Sequence, residues 1–274
     1  MSNTPKVTVC IPVFNGEAFI GDTLEALLQQ DYESYEVIVI DNASEDKTRE
    51  IVKSFEDRGV RLLVNEKNLG MTGNFNECLK HAEGDYVQIL CSDDRLANDC
   101  LKKKVAALEA NPSCVMCVSA TEIRDDDGKV RMVRRSFSRD MMIKGSDMIK
   151  KSFRKRNLYG EPSNVLIRTS AIADGTGFDP QMYYAVDWEF WLRLSLKGDV
   201  YYINEPLAAF YMRSGSETGS LLKKKERIVK DDKLLVKLCL ENKDMALSGF
   251  DGFRHTLSSK IRLYMKIVYS KLIK

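Results

Sequence analysis

The chain is poor in histidine, in net charge and in long apolar runs, and each scarcity excludes a class of function. Its 274 residues include two histidines, His81 and His255, too few for a histidine-rich metal centre. Basic residues number 42 and acidic residues 40, and this balance argues against a dedicated nucleic-acid binder. No run reaches the roughly 18 apolar residues of a membrane span, and Ser2–Lys6 leads into a short strand instead of a signal-peptide core. The sequence therefore predicts a cytoplasmic protein.

Two small motifs could indicate metals other than those of an active site. Cys114 and Cys117 have the CxxC spacing of a zinc site, but no second pair follows among the seven cysteines. Small buried thiols in a reducing compartment are the favoured interpretation. Asp125 to Gly128 resembles the start of a calcium loop, yet the twelfth position holds no Glu. A turn between two strands is expected there.

Short apolar runs alternate with helical patterns over the first 120 residues. The segments between the runs carry apolar residues at helical spacing. This alternation predicts an α/β fold with a mostly parallel central sheet and helices on both faces. The predicted strands are Val7–Phe14, Glu36–Asp41, Val60–Val64, Asp85–Leu90 and Cys114–Ser119.

Polar clusters follow the first four predicted strands. In parallel α/β sheets, ligands bind at the carboxyl ends of the strands. Because these ends meet at one edge of the sheet, the clusters predict a single site. They are Phe14-Asn15-Gly16, Asp41-Asn42-Ala43-Ser44, Asn65 to Gly70, and Ser92-Asp93-Asp94.

The adjacent carboxylates of Asp93 and Asp94 indicate a metal. Neighbouring carboxylates at the end of a buried strand repel each other unless a cation lies beside them. Mg²⁺ or Mn²⁺ would take one or two carboxylates and complete its shell with phosphate oxygens and water. The alternative is that the pair caps the helix predicted over Ala97–Ala110. The other polar clusters at the same edge favour the metal.

Asp187 is a second candidate for chemistry. It stands at the start of an aromatic-rich helix predicted over Val186–Leu196, where it could serve as an N-cap. It could equally remove a proton from an acceptor hydroxyl as a new C–O bond forms, which is general-base assistance. One oxygen of a capping carboxylate can stay available, so the two roles are compatible.

Together these segments resemble the large family 2 of bacterial glycosyltransferases, which has the GT-A fold, over nearly all of residues 5–215. Each motif is short, but their order and spacing are specific. The matching segments are Val7 to Gly16, Val39 to Asp46, Asn68-Leu69-Gly70 with Asn74, Ala82 to Tyr86, Ser92-Asp93-Asp94, and Val186 to Leu194.

The resemblance implies an inverting enzyme that moves a sugar from a nucleoside-diphosphate sugar to a hydroxyl of a glycan or lipid-linked acceptor, in surface polysaccharide synthesis. It makes Asp187 the base, Asp94 the direct ligand of Mg²⁺ or Mn²⁺, and Asp93 a ligand placed nearer the ribose. The donor is expected to contact residues at the ends of the first three strands. These are Pro12, Phe14, Asn15, Asp41, Asn42, Asn68 and Asn74.

Two departures from the family pattern affect the donor site. Members with a second Asp after strand two place it near the nucleotide base, whereas this chain has Asn42. An amide both donates and accepts, so a UDP or dTDP sugar is still favoured. Many relatives carry a His shortly after the position of Tyr211, but none follows here, and Arg213 is expected to contact the diphosphate instead.

The chain is predicted to divide into a catalytic domain, 1–215, and a basic helical extension, 216–274. The catalytic domain would comprise a nucleotide-sugar half, 1–94, and an acceptor half, 95–215. Residues 253–274 contain no Asp or Glu and carry an apolar stripe, which fits either a membrane surface or packing on the domain. The stripe comprises Ile261, Tyr264, Met265, Val268 and Leu272.

Other enzyme and binding classes fit the sequence less well. A sugar nucleotidyltransferase would carry a glycine-rich basic loop after strand one, and a dehydrogenase would carry GxGxxG there; neither motif is present. A polyprenyl-phosphate sugar synthase would differ only in its acceptor. A non-catalytic nucleotide-sugar-binding module would be expected to have lost its base or its metal ligand, whereas Asp187 and Asp94 are both present.

Overall fold

The computed structural model describes residues 5–212 and 225–272, and the side chains within 5–212 and 226–262. Over these ranges, ten strands form one sheet flanked by eight α-helices. In chain order they are β1 (Val7–Val13), α1 (Ile20–Leu27), β2 (Tyr35–Asp41), α2 (Thr48–Lys53), β3 (Val60–Val64), α3 (Gly70–Lys80), β4 (Tyr86–Ile89), β5 (Arg95–Leu96), α4 (Cys100–Ala110), β6 (Cys114–Arg124), β7 (Val130–Arg134), β8 (Met141–Ile143), α5 (Gly145–Lys155), β9 (Val165–Arg168), α6 (Val186–Leu194), β10 (Asp199–Tyr211), α7 (Lys225–Glu241) and α8 (Gly249–Leu272).

The sheet has a parallel part and a mixed part. Its strand order is β3-β2-β1-β4-β9-β6-β10-β5, with β7 beside β6 and β8 beside β10. The first four strands in this order pair in parallel, as the strand–helix alternation predicts. β9 runs antiparallel to both β4 and β6, after which β6 and β10 pair in parallel. The predicted α/β class with a helical C-terminal region is confirmed, and the sheet is mixed beyond β4.

Two hydrophobic cores lie on opposite faces of the sheet. On β1, Cys10 belongs to one core, whereas Val9 and Ile11 belong to the other. Helices α3, α5, α6 and α7 contribute to the first core, and α1, α2 and α4 to the second. Because helices cover both faces, β1 is an apolar run buried along its whole length. The carboxyl ends of the strands are therefore the edge that polar loops can occupy.

Helices α7 and α8 pack on the first core and on α5. Cys239 of α7 is buried there, and His255 of α8 is buried against the ring of Phe153 in α5. The other face of α8 exposes Phe250 and Phe253, each 64% exposed, together with Leu257 and Ile261. One face of α8 thus packs on the domain while the other exposes an apolar stripe. The part of the predicted stripe beyond residue 262 lies outside the described side chains. No helix within the described ranges has the length and apolar character needed to cross a membrane.

The small cysteine motif belongs to the core. Cys114 and Cys117 are buried, unpaired residues of β6. Burial raises the pKa of the Cys114 thiol to about 11, so it stays protonated at neutral pH. The motif thus consists of buried thiols, as the sequence predicts. The second small motif, at residues 125–128, forms the expected turn, between β6 and β7.

The predicted subdivisions remain predictions. The division between 94 and 95 falls between β4 and β5, two strands of the same sheet. The division between 215 and 216 lies outside the described residues.

Candidate active site at the carboxyl edge of the sheet

The turns after β1 and β2 hold each other in place. Asn15 has a positive φ of 50°, and its backbone N–H donates to Ser44 Oγ at 2.9 Å. The Asn15 side-chain oxygen accepts the N–H of Glu45, also at 2.9 Å. Pro12 is buried in β1, whereas Phe14 is 47% exposed at the rim. This turn therefore presents an aromatic ring and backbone on a rigid base.

Asp41 ends β2 as a fully buried carboxylate. Its Oδ2 accepts the Ser44 N–H at 3.0 Å and lies 3.8 Å from Arg49 Nε. Its Oδ1 is buried and has no hydrogen-bond partner among the described residues. A buried carboxylate oxygen that accepts no hydrogen bond is costly, so Oδ1 is the unsatisfied polar atom of this turn.

Asn42 organises the loop after β3. Its side-chain nitrogen donates to Asn68 Oδ1 at 2.9 Å and to the Gly70 carbonyl at 3.3 Å. Its side-chain oxygen accepts from Asn65 Nδ2 at 3.0 Å and from the Leu69 N–H at 2.9 Å. An aspartate at 42 would lack the two donors, which explains physically why an amide stands here.

The network continues from Asn65 to Asn74. Asn65 Nδ2 donates to Asn74 Oδ1 at 2.9 Å, and Asn74 Nδ2 donates to the Ile40 carbonyl at 3.1 Å. Asn42, Asn68 and Asn74 were predicted to contact the donor. The structure gives their amides hydrogen bonds within the protein, so their described role is to shape the loop, and direct contact stays a prediction.

Asp94 lies in the turn between β4 and β5, directly before β5, and is 1% exposed. Its Oδ2 accepts from Ser163 Oγ at 2.5 Å, and its Oδ1 accepts the Tyr211 N–H at 3.3 Å. Burial first, and then the negative charge of Asp93, hold the pKa of Asp94 well above its usual range. Helix α4 begins at Cys100 after the N-cap residue Asp99, so the alternative that Asp93 and Asp94 cap this helix is wrong.

A salt bridge that the sequence did not reveal lies near both Asp94 and Asp187. The guanidinium of Arg134, at the end of β7, forms a two-pronged pair with the carboxylate of Glu161, one prong at 2.7 Å. The charge of Glu161 raises the pKa of both Asp94 and Asp187, and the charge of Arg134 lowers that of Asp187. The charges of this ion pair thus act on both aspartates.

Asp187 lies in the first turn of α6, with Ala185 as the N-cap residue. Its Oδ1 accepts the N–H of Trp188 at 2.7 Å, and its Oδ2 accepts from Asn157 Nδ2 at 3.3 Å. Burial, and then Glu161, raise the pKa of Asp187 to about 7. A carboxylate with a pKa near neutrality is a stronger base than an ordinary aspartate while remaining partly ionised, which suits proton removal at pH 7.

The carboxylates at this edge can take part in holding a divalent cation. Asp94 is buried beside the negative charges of Asp93 and Glu161, an arrangement that a cation would relieve. Among the described residues, no three acidic, histidine or cysteine side chains form a complete metal cage. An ion here would therefore need oxygens from a ligand, as Mg²⁺ usually does. Arg213 lies outside the described residues.

One segment, 157–163, carries the site residues that the sequence analysis missed. Asn157, Glu161 and Ser163 reach Asp187, Arg134 and Asp94 respectively. The sequence signal available was weak: a short polar stretch, Gly160-Glu161-Pro162-Ser163, in a region without clear periodicity. The segment reaches the site because β9, which follows it, lies between β4 and β6 in the middle of the sheet.

Comparison of the sequence with known proteins assigns the chain to one family. The model of "Glycosyl transferase family 2" matches residues 8–175. A Mycobacterium tuberculosis protein without an assigned activity is 30% identical over 253 residues, covering 86% of this chain and 76% of that protein. A Campylobacter jejuni GalNAc(5)-diNAcBac-PP-undecaprenol beta-1,3-glucosyltransferase is 25% identical over 274 residues, covering 98% of this chain and 84% of that protein.

Solved structures share the fold. Staphylococcus aureus TarS 1-349 in complex with UDP-GlcNAc has a TM-score of 0.70 at 20% identity, covering 86% of this chain and 66% of that chain. The mannosyltransferase PcManGT of Pyrobaculum calidifontis, in complex with GDP-Man and Mn²⁺, has a TM-score of 0.62 at 18% identity, covering 85% of this chain and 64% of that chain. The chain thus spans just under two thirds of each. At these identities the likeness shows the fold, and the predicted GT-A class is confirmed.

Proposed function

This chain belongs to glycosyl transferase family 2, and we propose that it moves a sugar from a nucleoside-diphosphate sugar to a hydroxyl of a glycan or lipid-linked acceptor. The observation that carries the proposal is that one segment joins the two carboxylates: Ser163 donates to Asp94, Asn157 donates to Asp187, and the charge of Glu161 acts on both. The similar Campylobacter jejuni protein, a GalNAc(5)-diNAcBac-PP-undecaprenol beta-1,3-glucosyltransferase, supports a lipid-linked acceptor in polysaccharide synthesis.

The donor's nucleoside is assigned to the turns after β1 and β2. Phe14 offers an exposed ring there, and Asp41 Oδ1 offers a buried acceptor that lacks a protein donor within the described residues. Ribose hydroxyls and the N–H of uracil or thymine are donors of the kind this oxygen needs. A UDP or dTDP sugar is favoured, and the solved TarS complex with UDP-GlcNAc is in keeping with this choice.

The diphosphate is assigned to the end of β4. Asp94, with Asp93 nearer the ribose, would hold Mg²⁺ or Mn²⁺, and Arg213 is assigned to the diphosphate on sequence grounds alone. The ion, when bound, neutralises charge that develops on the departing nucleoside diphosphate. The Mn²⁺ in the complex of the archaeal mannosyltransferase supports this assignment.

Asp187 is assigned the role of base in a single displacement. The acceptor hydroxyl oxygen attacks the anomeric carbon, its proton passes to Asp187, and the bond from that carbon to the diphosphate oxygen breaks on the opposite side. The configuration at the anomeric carbon therefore inverts. The hydrogen bonds from Trp188 and Asn157 hold the carboxylate, and its pKa of about 7 lets it accept the proton at neutral pH.

The alternatives differ in acceptor or in catalysis. A polyprenyl-phosphate sugar synthase would use the same carboxylates with a phosphate acceptor, which needs no base. The raised pKa of Asp187 favours a hydroxyl acceptor. A non-catalytic binding module is not supported, because the chain is a member of a glycosyltransferase family.

The proposal is tested with purified full-length protein, Mn²⁺ and a panel of UDP-, dTDP- and GDP-sugars. Slow hydrolysis of one donor class is expected, and that donor is then used with hydroxyl and polyprenyl-phosphate acceptors. Asp187→Asn should lower turnover by about 10²–10⁴-fold while donor binding, measured by calorimetry, is retained. Near-normal transfer by Asp187→Asn would contradict the assignment of the base.

We further propose that α8 contacts an anionic membrane, which would place the enzyme at the cytoplasmic face of the inner membrane. Phe250, Phe253, Leu257 and Ile261 form an exposed apolar stripe, and residues 253–274 contain no acidic residue. Apolar area together with basic charge is what an anionic lipid surface attracts.

Flotation with phosphatidylglycerol vesicles tests the membrane contact, with phosphatidylcholine vesicles for comparison. The change Phe250→Ser with Phe253→Ser should abolish flotation, whereas Val130→Ser with Met132→Ser, at exposed positions of β7, should not. Equal flotation of all three proteins, or none by the wild type, would contradict the proposal.

A further inference from the structure

We infer that Asp231, on helix α7, is a positioning residue for Asp187, and that the C-terminal helices therefore act on the reaction and not only on stability. The inference rests on the proposed role of Asp187 as the base. It concerns the chain on either side of Asp187. Asp231 of α7 holds the backbone before Asp187, and His255 of α8 contacts Trp188, the residue after it.

The carboxylate of Asp231 gathers the backbone N–H groups that precede α6. It accepts from Tyr183 at 3.0 and 3.1 Å, from Tyr184 at 2.5 Å and from Ala185 at 2.9 Å. Asp231 is 5% exposed, so these are buried hydrogen bonds to a charged acceptor. Such bonds are stronger than neutral ones, and a negative charge is favoured at a helix N-terminus.

The start of α6 has no cap of its own. The N-cap residue is Ala185, whose side chain has no oxygen to accept a backbone N–H. Asp231, 46 residues further along the chain, instead accepts the N–H of Ala185 itself and those of the two residues before it. The turn that leads into α6 is therefore anchored by another element, α7.

The residue after Asp187 is held from α5 and α8. The indole N–H of Trp188 donates to Ser152 Oγ at 2.8 Å, and its ring stacks on His255 with centroids 5.3 Å apart. His255 is fully buried between the Phe153 carbonyl, 2.8 Å from Nδ1, and Asp232 Oδ1, 2.9 Å from Nε2. The peptide that carries Asp187 is thus anchored on both flanks.

Asp187 itself has little else to fix it. Its carboxylate has two hydrogen bonds, one to the neighbouring Trp188 N–H and one of 3.3 Å to Asn157. Its position consequently follows its backbone. The predicted nucleoside pocket is held differently, because the hydrogen bonds of the Asn42 side chain all end within residues 65–70. Loosening Asp231 should therefore affect turnover and leave donor binding intact.

The change Asp231→Asn tests this in the full-length protein. It keeps the size of the side chain but turns one acceptor oxygen into an NH₂ group that faces backbone N–H donors. We expect kcat to fall about 10–100-fold, because misplacing a reacting group by an ångström has effects of this size. The donor KM should stay within twofold of wild type. The control is Glu241→Gln, an exposed acid at the end of the same helix, which should leave both constants unchanged.

Amide hydrogen exchange gives a readout independent of activity. Asp231→Asn should lose protection in peptides covering 180–190 and keep it in peptides covering 35–75. An unchanged kcat would overturn the inference. A fall in kcat with a parallel rise in donor KM, and loss of protection in both segments, would also overturn it, because it would show a general structural role. If Asp187→Asn itself remains active, the proposed base fails instead, whatever Asp231→Asn does.

Discussion

The two parts of the candidate site differ in the kind of polar side chain that they bury and in how those side chains are satisfied. After β2 and β3 the side chains are mostly neutral amides, and Asn42 alone makes four hydrogen bonds within the protein. Around the end of β4 the side chains are charged, and Asp94 and Asp187 both have raised pKa values. We call these the amide side and the carboxylate side.

On one side the polar groups are satisfied without a ligand, whereas on the other the charges are not balanced without one. On the amide side the protein satisfies its own donors and acceptors, so the pocket has one shape before the donor arrives. The partial exception is Asp41, whose Oδ1 lacks a partner in the described chain. On the carboxylate side repulsion remains, and a cation or a proton would relieve it. Substitutions should therefore have opposite effects on stability on the two sides.

Of the three changes that probe this contrast, Asp94→Asn should have the largest effect on transfer. An amide can still accept from Ser163 Oγ, but it binds a divalent ion poorly, so transfer should fall about 10²–10³-fold. Without metal the variant should melt about 2–4 °C higher than wild type at pH 8, which corresponds to a gain of about 1 kcal/mol. A raised carboxyl pKa destabilises the fold as pH rises past the unfolded value, so this difference should shrink toward pH 4.

Calorimetric melting with and without Mn²⁺ checks the Asp94 prediction. Mn²⁺ should raise the melting temperature of wild type and of Asp99→Asn, an acid at the start of α4 that pairs with Lys103, but not that of Asp94→Asn. If Asp94→Asn were less stable than wild type at pH 8 without metal, the contrast between the amide side and the carboxylate side would be wrong.

Asn42→Ala should affect transfer less than Asp94→Asn does, and it should change stability in the opposite direction. The loss leaves several buried partners without a hydrogen bond, which should destabilise the fold by about 2–4 kcal/mol in chemical denaturation. The donor KM should rise, because the loop after β3 loses its anchor, while kcat at saturating donor stays near wild type.

Asn76→Ala is the matched control for the amide side. Asn76 bonds through both amide atoms to the backbone of Phe178, away from the cleft. It should lower stability without changing donor KM. If Asn42→Ala changed kcat and left KM alone, the amide side would not be a recognition surface.

The smallest effect is expected for Glu161→Gln, on the pH dependence of transfer. In wild type kcat should rise with pH through about 7, because the ionised form of Asp187 is the active one. Removing the charge of Glu161, and leaving Arg134 without its partner, favours the ionised form of Asp187, so the rise should move to lower pH.

Glu25→Gln serves for comparison, because Glu25 of α1 likewise pairs with an arginine, Arg58, but the pair is exposed. It should leave the pH profile where it is. A profile that Glu161→Gln moved to higher pH would show that Glu161 does not act on Asp187 through charge.

The parallel half of the fold and its carboxyl edge could be predicted because they depend on local signals. Strand-length apolar runs predicted β1 to β4, and the polar residues after them predicted which residues meet at one edge. Asp94 and Asp187 stood out because a carboxylate at the end of a buried strand or at a helix start is chemically conspicuous. These inferences needed no knowledge of distant contacts.

The remainder depends on pairings between distant parts of the chain. Nothing local showed that β9 enters the sheet antiparallel between β4 and β6, and so nothing local assigned Glu161 or Ser163 to the cleft. Asp231 looks like one acid among many on a charged helix until α6 is placed beside it. The four hydrogen bonds of the Asn42 side chain could not be predicted either, because its partners lie 23 to 28 residues away in sequence.

The central position of β9 also sets the order in which the protein can be assembled. During synthesis β4 and β6 emerge before the strand that joins them, so both have an unpaired edge until residues 165–168 arrive. Exposed strand edges are templates for association with other chains. Closing a sheet from its middle also requires contacts across long stretches of sequence, which slows folding. The same insertion that completes the cleft makes the nascent chain vulnerable to aggregation.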